Sequence, residues 1–357
     1  MKSIVYLSFF ISVFALSCSS DNPTETPNPI NTELYFPPLN SDTWDTLSVT
    51  DLGWNESEKQ PLLDYLEAKN TKGFIILYNG RIILEEYFNG HDDTKLWYWA
   101  SAGKTLTTTV SGIAQDEGLI TIDNKVSDYL GTGWTSASLE KENLITCKNL
   151  LSMNSGLDDS LGDDVSPGNL QYVADAGTRW AYHNVYVKMQ DVIAEASNDT
   201  WDNYFNAKLK DRIGMNGGWF SLGDLSVYAS NTLSMARFGL LIYANGNWNG
   251  EQIVSESFIN AATNTSQNIN EAYGYLWWLN GKSSYRLPQS QLEFNGELIP
   301  NAPDDMFVAL GKNDQKIYVV PSKKLVIVRL GDAADGENFA LSTFDNDLWG
   351  MINNLIN

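Results

Sequence analysis

The decisive stretch of this chain reads Trp97-Tyr98-Trp99-Ala100-Ser101-Ala102-Gly103-Lys104. Serine and lysine three residues apart lie on one face of a helix. A serine hydroxyl is a weak nucleophile unless a base takes its proton, and a neutral lysine amine can be that base where burial lowers its pKa. The free N–H groups and the dipole of a helix N-terminus suit an oxyanion. The stretch therefore predicts a nucleophile, a base and half an oxyanion hole in one place.

The Ser-x-x-Lys spacing needs its context, because it arises about once by chance in a chain of this length. A second copy, Ser138-Leu-Glu-Lys141, lies in a polar stretch and is typical of a helix cap or a solvated turn. The residues after Lys104, by contrast, are small and weakly polar as far as Ala114. Their threonines oppose a helix by propensity, so we expect a buried helix held by its packing.

The N-terminus is typical of a secretion signal. Lys2 precedes an apolar core at 4–16, too short to span a bilayer, and Ala15-Leu16-Ser17-Cys18 resembles a bacterial lipobox. We expect 1–18 to be a lipoprotein-type signal peptide with Cys18 lipidated, 19–44 a flexible tether rich in Pro, Thr, Asn and Ser, and 45–357 the domain that carries Ser101. The protein would then be exported and anchored by lipid at a bacterial membrane, in the periplasm or at the cell surface. Ordinary signal cleavage near the same point is the alternative.

Composition excludes several classes of protein. A net charge of −21 argues against nucleic acid as a partner, which requires a basic face. The chain has two histidines, His91 and His183, so a zinc hydrolase with several histidine ligands is almost excluded. If Cys18 is lipidated or removed, Cys147 has no disulfide partner, and we expect it to be a buried apolar side chain.

The pattern along the chain predicts an α+β fold. Strands are predicted near both ends of the sequence, whereas the middle, about 120–265, is predicted to be mostly helical. This order indicates one antiparallel sheet assembled from distant segments, flanked by helices and joined to a mainly helical subdomain. The predicted helices outside the middle are 57–69, 101–118 and 342–356, and the predicted strands are 73–78, 81–88, 306–310, 316–320 and 325–330.

Further motifs follow Ser101 in a fixed order along the chain. They are Gly118-Leu-Ile with Val126-Ser-Asp-Tyr-Leu, the segment 145–157 ending in Ser-Gly-Leu, Gly177-Thr-Arg-Trp-Ala-Tyr-His-Asn184, Tyr273-Gly-Tyr-Leu-Trp-Trp278, and Ala309-Leu-Gly-Lys312. From about residue 60 onward the chain resembles the serine β-lactamase/penicillin-recognising family. It is most similar to the class C-like branch of esterases, D-aminopeptidases and 6-aminohexanoate-dimer hydrolases.

The resemblance implies a role for each matching residue. Ser101 would be the acylated nucleophile and Lys104 would take or relay its proton. Tyr182, as a phenolate or as a donor, would assist Ser101 and protonate the leaving group. Asn184 would orient the lysine and the substrate through its amide.

The last motif would complete the oxyanion hole but departs from the family. The backbone N–H of Lys312, just after Gly311, would act with that of Ser101. Ala309-Leu-Gly311 stands where the family often has Lys/His-Thr/Ser-Gly, so a cation that could bind a penicillin's carboxylate is missing there. The Lys312 side chain either substitutes for it or points to solvent.

Other residues near the motifs have two interpretations each. Trp278, with Trp97, Trp99, Trp180 and Trp277, either lines a pocket for an acyl or amide group or packs in the core. Asp158 and Asp159 either bind a substrate amine or lie in a solvated loop, which the sequence favours. His183 follows Tyr182 on an extended segment, where neighbouring side chains point opposite ways, so we expect it to face away from the site.

These observations together predict a serine hydrolase that cleaves a small-molecule ester or amide, without a metal or organic cofactor. An amidase or peptidase acting on D-amino-acid or cell-wall peptides is the second hypothesis. A peptidoglycan-binding or sensor protein that does not turn over is the third. The only membrane contact expected is the lipid anchor.

Overall fold

The computed structural model describes residues 33–41, 43–336 and 341–357. Its α-helices are α1 Lys59–Ala68, α2 Lys104–Asp116, α3 Ser127–Leu130, α4 Leu139–Glu142, α5 Cys147–Leu151, α6 Tyr186–Ser197, α7 Trp201–Phe205, α8 Thr232–Tyr243, α9 Glu256–Ala262 and α10 Thr343–Ile356. Its strands are β1 Thr71–Tyr78, β2 Arg81–Tyr87, β3 Trp97–Tyr98, β4 Gly218–Leu222, β5 Leu225–Ser230, β6 Asn247–Trp248, β7 Glu251–Gln252, β8 Trp278–Leu279, β9 Ser284–Arg286, β10 Glu293–Asn295, β11 Phe307–Gly311, β12 Gln315–Val320 and β13 Leu325–Gly331. Single turns of 3-10 helix lie at Glu56–Glu58, Ala100–Gly103, Lys312–Asp314 and Pro321–Lys323, and a π-helical turn at Asn206–Lys210.

A six-stranded antiparallel sheet forms the centre of the fold, in the order β2-β1-β13-β12-β11-β8. Asn79 and Gly80 both have positive φ, at 48° and 86°, as a tight two-residue hairpin between β1 and β2 requires. The last strand, β13, then pairs with β1 near the start of the domain. This pairing confirms the predicted antiparallel sheet built from distant segments.

Helices cover both faces of this sheet. Helix α8 approaches β13 closely because it carries Gly239, where a Cβ would lie 2.5 Å from a methyl of Val326. On the opposite face α10 packs beside α1, and Trp349 meets the ring of Tyr318 edge-on at 5.7 Å. The predicted α+β class is therefore confirmed, with the elements at both ends of the sequence placed within three residues of the prediction.

Helix α2 is buried from Lys104 to Ala114, as its small residues predicted. Its hydroxyl groups are satisfied inside the protein. Thr109 and Ser111 donate to the carbonyls of Thr105 and Thr107, one turn earlier, at 3.0 and 2.8 Å. Local bonds of this kind let weak helix formers lie in a core without leaving a polar atom unpaired.

The middle of the chain departs from the prediction, because it contains a β-hairpin as well as helices. Strands β4 and β5 pair through five consecutive positions, and β5 also pairs with β3. Gly223 occupies the turn with φ of 59°. The hairpin depends on its pairing with Trp97 and Tyr98, more than one hundred residues earlier, which a local pattern does not reveal.

The predicted tether is too long. Trp44 is buried and donates its indole N–H to the carbonyl of Gly80 at 2.6 Å. The Tyr35 N–H bonds the Asn79 carbonyl, and the domain begins at Glu33. Apolar side chains such as Trp44 outweigh the Pro- and Asn-rich composition in this segment. The predicted signal peptide and Cys18 lie outside the described residues. In the part of the chain that is described, no helix combines the length and apolarity needed to cross a bilayer.

Candidate active site

Ser101 lies in the 3-10 turn Ala100–Gly103, which leads directly into α2. Ala100 has a φ of 47°, in the left-handed region that non-glycine residues rarely occupy. Trp99 fixes the turn, because its backbone N–H donates to Tyr228 and its indole N–H donates to Ser230 at 2.9 Å. A strained residue held by buried contacts is typical of a functional turn. No sequence pattern indicates this backbone geometry.

The amine of Lys104 lies beside the Ser101 hydroxyl. Lys104 Nζ donates to Ser101 Oγ at 2.7 Å, and the residue is only 4% exposed. Burial lowers the pKa of Lys104 to about 7, against a smaller opposing effect of Asp163. No described carboxylate forms a salt bridge with this amine. It lies instead over the rings of Tyr182 and Tyr186, at 4.9 and 4.7 Å from their centroids. A large share of Lys104 is therefore neutral at neutral pH, as a base requires.

Tyr182 completes the group around Ser101. Burial raises the pKa of Tyr182 to about 12, although a hydrogen bond with Ser101 opposes the shift. The phenol is therefore protonated at neutral pH, which favours the donor role over the phenolate. Its ring stacks on Trp278 at 5.8 Å, and Trp180 and Tyr273 pack against the same indole. This aromatic cluster fixes the direction of the phenol.

The end of β11 lies against the Ser101 turn. A Cβ on Gly311 would be 2.4 Å from the Trp99 carbonyl oxygen and 3.1 Å from the Ala102 nitrogen. Only glycine permits this approach without moving one of the two segments. Lys312 follows and lines the same cavity as Ser101. The strand end predicted to carry the second oxyanion donor is thus adjacent to the nucleophile.

The turn after Gly311 is held from behind by buried charges. Asn313 and Asp314 both have left-handed φ, at 61° and 60°. Lys316 Nζ lies 3.2 Å from the carboxylate of Asp314 and 2.8 Å from that of Asp345, and all three side chains are buried. Arg329 donates to the Asp314 carbonyl at 2.8 Å. This cluster joins the turn to the start of α10.

A cavity of about 700 Å³ opens beside Ser101. Among the predicted site residues, Lys104, Tyr182, Asn184, Lys312 and Asp159 line it together with Ser101. Further lining residues, which sequence reasoning missed, are Tyr98, Asp163, Tyr186, Phe220, Leu222, Leu225, Val227, Pro288, Gln289 and Asn313. The alternation of apolar and other residues over 218–228 was the available signal for the hairpin members of this set.

Asn184 and the two aspartates have partners other than those expected. Asn184 Nδ2 donates to Asp163 at 2.6 Å, and no hydrogen bond between Asn184 and Lys104 occurs among the described residues. Asp159 lines the cavity but pairs with Arg179 at 2.6 Å. Asp158 accepts a hydrogen bond from the Ser160 hydroxyl at 2.7 Å. Asn184 therefore lines the cavity while its amide is hydrogen-bonded to Asp163 rather than to the lysine.

The prediction that His183 faces away from the site was wrong. His183 lines the cavity and is buried, because 181–183 has no regular strand geometry and strict alternation of side chains does not apply. Burial lowers the pKa of His183. Trp278 is 2% exposed and does not line the cavity, since it packs behind Tyr182. Trp99, Trp180 and Trp277 are core residues as well.

Comparisons with known proteins bear on the family and the fold of this chain. A family model described as beta-lactamase matches residues 67–347. A structure from Bacillus anthracis, named as a 6-aminohexanoate-dimer hydrolase, is 18% identical with a TM-score of 0.68 and covers 90% of this chain and 89% of its own. One from Bacteroides dorei, named as a beta-lactamase, is 15% identical with a TM-score of 0.67 and covers 85% of this chain and 99% of its own.

A third structure extends the chemistry represented among these neighbours. It is described as a hydrolase with promiscuous acyltransferase activity, and it is 11% identical with a TM-score of 0.62, covering 87% of this chain and 98% of its own. No curated protein sequence matches this chain. The structural likenesses show the fold, and the match over 67–347 confirms the family resemblance.

Proposed function

This chain belongs to the β-lactamase family of serine hydrolases, and on that premise we propose that it cleaves a small ester or amide through an acyl-enzyme on Ser101. The observation that carries the proposal is the Lys104 amine, buried 2.7 Å from Ser101 Oγ with a pKa of about 7. A group that titrates near the operating pH is the most effective general base. A lysine kept for stability alone would have a carboxylate partner, as Lys316 has.

Acylation follows from these positions. Ser101 Oγ attacks the substrate carbonyl while its proton passes to Lys104 Nζ. The backbone N–H groups of Ser101 and Lys312 would stabilise the oxyanion, since the strand end at Gly311 abuts the Ser101 turn. When the tetrahedral intermediate collapses, the phenol of Tyr182 protonates the leaving group and recovers a proton from Lys104. The bond between the carbonyl carbon and the leaving atom breaks, leaving the ester on Ser101.

Deacylation uses the same groups in reverse. A water takes the place of the leaving group, and Lys104, neutral again, accepts its proton directly or through Tyr182. The water oxygen bonds to the acyl carbon, and Ser101 Oγ leaves with a proton from Lys104. No cofactor is required for this cycle.

An ester or short amide fits this site better than a β-lactam. Ala309-Leu310-Gly311 presents no cation where penicillin-recognising relatives often carry one. A second candidate is an amidase for D-amino-acid or cell-wall peptides, and it is favoured by Asp163. That carboxylate lines the cavity, where it could bind a substrate ammonium group. Hydrolysis of D-alanyl amides without hydrolysis of simple esters would select this candidate.

We further propose that the protein is exported and held at a membrane by a lipid on Cys18. The support is the sequence alone: an apolar core at 4–16 followed by a cysteine. Expression in a bacterium with labelled palmitate tests this. We expect label and membrane fractionation in the native sequence, and neither in Cys18→Ser. Label retained in Cys18→Ser would refute the anchor.

The catalytic proposal is tested by intact-mass spectrometry after reaction with a fluorophosphonate. We expect one adduct, which Ser101→Ala loses together with hydrolysis of p-nitrophenyl acetate. Ser138→Ala is the matched control, because Ser138 begins the second Ser-x-x-Lys and should change neither result. An adduct without turnover would indicate a sensor, and no adduct would refute a Ser101 hydrolase.

A further inference from the structure

One wall of the cavity beside Ser101 is a hairpin with an apolar face. In the register of β4 and β5, Phe220 lies opposite Val227 and Leu222 lies opposite Leu225. All four side chains line the cavity. Residues two apart along a strand share a face, so the two facing pairs form a continuous apolar strip about 7 Å long.

The core of the protein does not account for Phe220 and Leu222 of this strip, because the hairpin packs mainly through its other face. Trp219 and Tyr228 lie opposite each other at 5.2 Å between ring centroids, and Phe205 packs on both. On the cavity face, in contrast, Phe220 is 43% exposed and Leu222 is 61% exposed. Large apolar side chains gathered at the mouth of a cavity are typical of a binding surface.

Part of the remaining lining is polar. Asp163, Asn184 and Lys312 carry charged or amide groups, and Asp159 forms an ion pair with Arg179. An apolar chain placed against these groups would bury them without hydrogen bonds, which is unfavourable. Against the hairpin strip, such a chain loses only its contact with water.

We propose that the strip formed by Phe220, Leu222, Leu225 and Val227 binds an uncharged apolar chain of the substrate. The preferred substrates are then esters or amides with a short alkyl or aryl group. This inference rests on the proposed function, since the chain must be attached to the carbonyl that Ser101 attacks. The chain belongs either to the acyl part or to the leaving group, and both offer the strip the same chemistry.

Two ester series distinguish these sources. The first is p-nitrophenyl esters from acetate to hexanoate, and the second is acetate esters from methyl to hexyl. We expect kcat/KM to rise about two- to fourfold per added methylene in one series, which identifies the side that occupies the strip. Equal rates along both series would overturn the proposal.

The variants connect the chain-length effect to the strip. Leu222→Ser/Leu225→Ser removes one facing pair, and we expect it to flatten the responsive series. Because Leu222 is 61% exposed, we expect the single variant Leu222→Ser to keep the fold and to reduce the slope by half or more. Ser221→Ala, on the opposite face of the hairpin, is the matched control and should keep the full slope. An undiminished slope in both leucine variants would refute the assignment.

Failure of the strip and failure of the catalytic proposal give different results. If Ser101 is not the nucleophile, a small fluorophosphonate leaves the wild-type protein without an adduct. If Ser101 is the nucleophile and the strip is wrong, labelling and acetate turnover are intact while chain length has no effect.

Discussion

The buried amine of Lys104 should lower the stability of the protein in a way that depends on pH. Its pKa lies at about 7 in the folded protein and at 10.5 in its ordinary state. Between these values the unfolded chain holds a proton on this amine that the folded chain has released. The free energy of unfolding therefore rises with pH through this range. Below about pH 7 the buried amine is charged, and its destabilising effect reaches its full size.

The magnitude follows from the two pKa values. Each pKa unit corresponds to about 1.4 kcal/mol, so the charged form of Lys104 destabilises the folded state by about 4 to 5 kcal/mol at low pH. Between pH 6 and pH 9, titration of the folded and unfolded amine should recover about 2 to 3 kcal/mol of this. Lys104→Met removes the titration and keeps the length of the side chain. The contributions of the other titrating groups to the pH dependence of unfolding cancel in the difference between the two proteins.

Urea unfolding of wild type and Lys104→Met at pH 6, 7, 8 and 9 measures this difference. We expect the variant to be inactive and more stable at pH 6, with its advantage falling by about 2 to 3 kcal/mol at pH 9. The wild-type kcat/KM should rise about tenfold per pH unit below 7 and level above it. A stability difference that stays constant across this range would refute the lowered pKa and, with it, the role of Lys104 as the base.

Three further variants test the surroundings of Ser101. Tyr182→Phe should lower kcat about 10²- to 10⁴-fold while Ser101 still reacts with a fluorophosphonate, as steady-state and labelling rates will show; an unchanged kcat would exclude Tyr182 as the proton donor. Gly311→Ala should lower kcat at least tenfold with little change in KM, because its Cβ would meet the Trp99 carbonyl at 2.4 Å; normal kinetics would place the oxyanion donors elsewhere. Asp345→Asn should destabilise the fold by about 3 kcal/mol in urea unfolding, since it removes one of the two carboxylate charges that pair with buried Lys316; a loss below about 1 kcal/mol would mean that Asp314 alone suffices to neutralise the lysine.

The sequence predicted the sheet and the Ser101 group because both depend on local patterns. Apolar runs and the Asn79-Gly80 turn located the main strands, and the structure places them within two residues of the prediction. The pairing of Ser101 with Lys104 follows from the geometry of one turn. Tyr182 lies 78 residues further on, and its motif was recognisable only through its place in a series.

The remaining features depend on contacts between distant segments. The chain around His183 has no periodic structure, so its sequence could not show which side chains enter the cavity. The burial of Trp278 behind Tyr182 depends on packing with Tyr273 and Trp180, and an aromatic side chain has the same pattern in a core as in a pocket. The cluster of Asp314, Lys316, Asp345 and Arg329 joins two strands, a turn and a helix that no local pattern connects.

The charges that face the cavity bear on the substrate as strongly as the strip does. Lys104 is largely neutral above pH 7, and Asp159 is balanced by Arg179. Lys312 and Asp163 then remain as one charge of each sign, within a protein whose net charge is −21. An anionic substrate therefore meets no net positive potential at this site, and the negative charge of the surrounding protein repels it. A penicillin needs its carboxylate held, whereas an uncharged ester needs only the oxyanion donors and an apolar surface. The missing cation at 309–311 and the apolar hairpin therefore both support the proposed preference for uncharged substrates.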